Sequence, residues 1–77
     1  MEVKQIHTLL KNTPFEPFRM YLSDGARYDV RHPEQLLLSQ RTAYVGVGPN
    51  GDGPFQRVGL VSLVHVTRID SLPDSAS

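Results

Sequence analysis

Three histidines, eight carboxylates, six arginines and two lysines are the charged or titratable side chains here best able to move protons, hold metal or grip anions, and there is no cysteine. His32-Pro33-Glu34 sets an imidazole two positions from a carboxylate. Those are the types needed for acid–base exchange near neutral pH. Catalysis also needs a third group and a pocket. A proline between the two reads more simply as the end of a strand and the start of a turn. His65 stands between Val64 and Val66. To ligate a metal it needs His7 or His32 beside it, and spacing alone does not bring them together. As a strand residue it makes a hydrogen bond or meets an interface. Asn50-Gly51-Asp52-Gly53 offers one carboxylate and one amide, short of the oxygen set that a calcium loop gathers. Its glycines do not follow a phosphate-binding spacing. Ser62 has no nucleophile elbow around it. The expectation is a non-enzyme with no cofactor and no metal.

The residues best suited to a polymer are Arg19, Tyr21, Arg27, Arg31 and Tyr44. If Arg19 and Tyr21 share a face with Arg27 and Arg31 across a hairpin, cations and a ring lie together. That combination suits stacking on single-stranded nucleic acid. Asp29 dilutes the patch, and the plainer alternative is a solvated face with cross-strand charge pairs.

The elements that position these residues follow from the pattern. Val3, Ile6, Leu9 and Leu10 recur at helical spacing within residues 2–12, and Asn12, Thr13 and Pro14 end the helix. So short a helix must lie on something apolar, most simply the open end of a sheet. Pro14 and Pro17 hold an extended linker, and Phe15 and Phe18 pin the helix to the core. Phe18, Met20 and Leu22 alternate with polar partners, and Asp24-Gly25 turns the chain into Ala26, Tyr28 and Val30. His32-Pro33-Glu34 interrupts this second strand, which resumes over residues 35–40. Arg41-Thr42 turns into Ala43–Val47. A loop dense in Gly and Pro spans residues 48–54, and residues 55–61 and 64–69 complete the strands around a corner at Ser62-Leu63. Gly46 and Gly59 permit sharp bends. Residues 73–77 are expected to fray.

Residues 1–72 thus predict one mainly β domain. A short N-terminal helix leads into a five-stranded, strongly bent antiparallel sheet or small open barrel. The full chain has 77 residues, eight basic and eight acidic, so its net charge is zero. Nucleic-acid binders usually carry a basic excess. No apolar run is long enough for a bilayer and no signal core opens the chain, so a complete, soluble, cytoplasmic protein is expected. A chain this size buries only about 60% of its unfolded surface. Without disulfides or metal, association is the remaining source of stability.

The Pro14-Phe15-x-Pro17-Phe18, Asp24-Gly25, Val30-Arg31-His32-Pro33-Glu34 and His65-Val66-Thr67-Arg68-Ile69 segments resemble a family of short, uncharacterised proteins from environmental bacteria. The resemblance spans most of residues 5–72 and rests on turn and core positions, so it implies a fold and no activity. The order of elements, with the Leu22-Ser23-Asp24-Gly25 hairpin, also resembles Sm-like proteins. Those are bent five-stranded barrels capped by a helix, which form rings through edge strands and bind RNA. The Asp-x-x-x-Asn and Arg-Gly loops and the Tyr-Lys-His signature of that group are missing here. The expected function is a non-catalytic binding module, acting as a homo-oligomer or on another protein through edge-strand pairing. The alternative is an Sm-like regulator that binds RNA or single-stranded nucleic acid.

Overall fold

Val3, Ile6, Leu9 and Leu10 do fall on one side of a helix. In the computed structural model of the chain this helix, α1, runs Val3–Lys11. The structure describes residues 2–48 and 55–72. The N-terminal turn is closed by Gln5, whose Oε1 accepts a hydrogen bond from the Glu2 N–H at 3.3 Å. Ile6 is fully buried, and Val3, Leu9 and Leu10 pack around it against the core. The helix is held by this apolar stripe rather than by its own propensity.

Six strands follow: β1 (Phe18–Leu22), β2 (Arg27–Val30), β3 (Leu36–Leu38), β4 (Thr42–Val47), β5 (Arg57–Ser62) and β6 (Val66–Ser71). They form two antiparallel sheets of three strands each, ordered β2-β1-β6 and β3-β4-β5. The β1–β2 hairpin turns at Gly25, whose φ of +91° suits glycine. Asp24 Oδ1 accepts from the Ala26 N–H at 2.9 Å and fixes the turn.

The mainly β fold behind an N-terminal helix is as expected, but six strands in two sheets stand where a five-stranded bent sheet or small open barrel was expected. The bent second strand is instead two strands, in two sheets. Pro33 supplies no N–H for a ladder and opens a 3-10 turn, Pro33–Gln35, between β2 and β3. A second 3-10 turn, Leu63–His65, does the same between β5 and β6. Each corner hands the chain from one sheet to the other, and among the described residues no ladder joins β5 to β6.

The core lies between the sheets and under the helix. Phe18, Met20 and Val30 come from the first sheet, and Leu36, Ala43, Val45 and Val61 from the second. Leu63 and Val66 close it beside the second corner. Phe15 is half-buried, its ring centroid 6.0 Å from that of Phe18, so the linker is tied down as expected. Gly46 and Gly59 do not mark breaks in the ladder. Both lie inside the β4–β5 pairing, and each admits an aromatic ring. A Cβ on Gly46 would sit 2.5 Å from the Phe55 ring, and one on Gly59 would sit 3.0 Å from that of Tyr28. The loop expected at 48–54 falls almost wholly outside the described residues, and the tail at 73–77 wholly so.

Candidate interaction surfaces

The outer face of the first sheet gathers most of the polar candidates. Register places Tyr21 between Arg27 and Arg68, and Arg19 between Asp29 and Asp70. Two rows therefore cross the three strands, one cationic and aromatic, the other alternating in sign. In the first row the Arg68 guanidinium stacks on the Tyr21 ring at 4.2 Å from its centroid. Arg68, and then Arg19, hold the Tyr21 phenol below its ordinary pKa. In the second row Arg19 Nε and Nη2 donate to Asp29 Oδ1 and Oδ2 at 2.6 and 3.1 Å, a bidentate pair. Arg31, just past β2, reaches the same carboxylate at 3.6 Å. Arg68 also pairs with Asp70 at 3.2 Å. Arg19, Tyr21, Arg27 and Arg31 thus share one side, with Asp29 and Asp70 among them. Tyr44 does not join them, because it belongs to the other sheet.

Bonding to Arg19 holds the Asp29 carboxyl below its ordinary value, against the opposing effect of partial burial. A depressed carboxyl contributes stability that is complete above the unfolded value. That contribution is lost as pH falls through the native value. Asp29→Asn is therefore expected to remove part of the acid-side loss. Urea melts at about pH 7 and about pH 3 should show a smaller difference in the variant than in the native chain.

The second sheet presents a different outer face. Leu37, Tyr44 and Leu60 stand directly opposite one another across β3, β4 and β5. Leu37 is 69% exposed and Leu60 70%. Val58, two residues from Leu60 on the same face, is also exposed, and the Phe55 ring covers Gly46 beside it. Thr42 and Ser62 pair at the other end of the face. No charged side chain lies on this face of β3, β4 or β5. Of this row, residue type had singled out Tyr44 alone, as a nucleic-acid candidate.

Between the sheets, along the outer edge of β2, lies a cleft of about 550 Å³. Arg19, Arg27, Arg31 and Arg57 line it together with Asp29 and the end of β4. Its floor is Gln35, a polar residue in the core at 4% exposure. The Gln35 carboxamide accepts from the Arg31 N–H at 2.8 Å and donates to the carbonyls of Asp29 and Gly46 at 2.7 and 2.9 Å. One side chain thus occupies the end of the outer edge of β2 and ties it to β4. Gln35→Leu leaves those three backbone groups without partners, and each buried orphan costs about 1–3 kcal/mol. A thermal melt should show a large drop even though the substitution keeps most of the volume. Arg57 escaped the sequence reading. It follows a turn-rich segment, and only its register opposite Val47 brings it to the cleft.

The remaining candidates occupy structural positions. His65 sits in the second corner, its carbonyl accepting from the Ser23 N–H at 2.8 Å and its Nδ1 lying 3.2 Å from Ser23 Oγ. It ties the first hairpin to that corner. His32 caps the first 3-10 turn, Glu34 lies within it, and both are exposed. Ser62 ends β5 at the surface. Asn50-Gly51-Asp52-Gly53 lies outside the described residues. Among those residues no three His, Asp or Glu side chains gather as a metal set, and no helix is long and apolar enough to cross a membrane. No family model, no curated protein and no solved structure matches this chain.

Proposed function

We propose that this chain is a non-catalytic interaction module that assembles with further copies of itself. One observation carries the reading: the uncharged row of Leu37, Tyr44 and Leu60, with Val58 beside it, on the outer face of the second sheet. Contiguous exposed apolar surface marks contact sites rather than ordinary solvent-facing surface. A face without charge meets its own copy with no like-charge repulsion, which suits a symmetric contact. The ladder edges agree with this. The end of the β2 edge is occupied by Gln35, whereas β5 and β6, six residues each, are also outer strands of their sheets. Edge pairing along β5 or β6 extends the contact made by the apolar face.

In this reading the two sheets and their 3-10 corners form a small open barrel of the Sm-like or SH3-like kind. The corners at Pro33–Gln35 and Leu63–His65, each passing the chain from one sheet to the other, support that reading. A dilution series followed by amide NMR tests the contact residue by residue. Signals of Leu37, Tyr44, Val58 and Leu60 are expected to move with concentration, and those of Ser23 to Ala26 to stay fixed. The opposite pattern rejects this face.

A second reading rests on the Arg27–Tyr21–Arg68 row, which places a ring between two cations as single-strand binding requires. It predicts salt-dependent binding of an oligonucleotide that weakens in Tyr21→Ala. The intervening Asp29 and Asp70 make it the lesser of the two.

A further inference from the structure

Four of the six arginines in this chain line the cleft along the edge of β2, within a sequence of zero net charge. Among the described residues, Asp29 is the only acidic group lining it. Both of its oxygens are already engaged by Arg19, and Arg31 lies 3.6 Å from one of them. Arg27 and Arg57 have no ion pair among the described residues. The lining therefore holds about three positive charges in excess. A guanidinium offers a planar fork that fits phosphate oxygens two at a time. A monocarboxylate leaves most of this charge unanswered, whereas a diphosphate answers it. The cavity, at about 550 Å³, also has room for an organic body beyond the phosphates. Tyr28 and Val47 supply apolar surface for that body. An added strand is the poorer occupant, because Gln35 already holds the Asp29 carbonyl and the Arg31 N–H on that edge.

We propose that this cleft binds a small molecule carrying a diphosphate group, gripped by Arg27, Arg31 and Arg57. The site is separate from the apolar face of the second sheet and does not depend on assembly. Isothermal titration at low salt with pyrophosphate, ADP and adenosine tests it, alongside an oligothymidylate. Pyrophosphate and ADP are expected to saturate at one site per chain, and adenosine to give no heat. Amide signals of Arg27, Arg31, Gly48 and Arg57 should shift with ADP. Arg57→Gln and Arg27→Gln should each weaken ADP roughly tenfold or more, while Arg41→Gln leaves it unchanged. Circular dichroism should show all three variants folded, since each side chain is exposed. Absence of saturable binding overturns the proposal, as does an Arg57→Gln titration equal to the native one. An oligothymidylate bound more tightly than ADP, with shifts across Tyr21 and Arg68, overturns it in favour of a polymer on the first sheet.

Discussion

Phe18→Ala is expected to destabilise the fold by about 3–5 kcal/mol, read as a fall in the urea midpoint. The ring is 2% exposed and comes from the first residue of β1. It touches the half-buried Phe15 on the linker and lies in the cluster that receives Ile6 from α1. Truncation opens a cavity where helix, linker and sheet meet. The whole stability of a domain this small is of the order of 5 kcal/mol, so the variant should keep about 2 kcal/mol or less, with up to about half of its molecules unfolded at room temperature. A loss below about 1 kcal/mol is incompatible with a ring that bridges the helix to the sheets.

Leu60→Glu is expected to leave the fold intact and abolish self-association. Leu60 is 70% exposed in the single chain, so its replacement removes little from the core. At a two-fold contact the change is felt twice, and each buried leucine is worth about 1.5–3 kcal/mol. The loss alone weakens association by about a hundredfold or more. Placing a carboxylate against the Leu37–Tyr44 row of a second copy adds a desolvation cost. Circular dichroism and the melting temperature serve as the control. A variant that melts much earlier shows that Leu60 supports the fold rather than the contact.

Much of the architecture was readable because local rules coincide with the tertiary outcome. The spacing of Val3, Ile6, Leu9 and Leu10 gives α1 and its buried side, and Asp24-Gly25 gives the hairpin. The alternation of Phe18 and Met20 with Arg19 and Tyr21 gives the two faces of β1, and Asp29 does form the anticipated cross-strand pair. Pro33 was legible as an interruption. Its consequence was not, because a proline that bends one strand and a proline that starts a second sheet look alike in one dimension.

The apolar face was hidden for a related reason. Leu36-Leu37-Leu38 has no period, so nothing local says that Leu36 enters the core while Leu37 faces out. The same holds for Val58-Gly59-Leu60-Val61, where inward and outward residues are all apolar or glycine. Only the pairing of β3, β4 and β5 aligns Leu37, Tyr44 and Leu60. The cleft was hidden because Arg57 and Arg27 are distant in sequence. A glutamine in the core, Gln35, is the polar exception that could have pointed to the joint between the sheets, since a buried carboxamide must find several partners.

Sedimentation equilibrium of the native chain from low to high micromolar concentration is the most direct measure of this account. Mass is expected to rise above the 8.6 kDa of a single chain to a whole multiple of it, and Leu60→Glu to remain at 8.6 kDa throughout. A native chain that stays at 8.6 kDa up to the highest concentration contradicts assembly through the uncharged face.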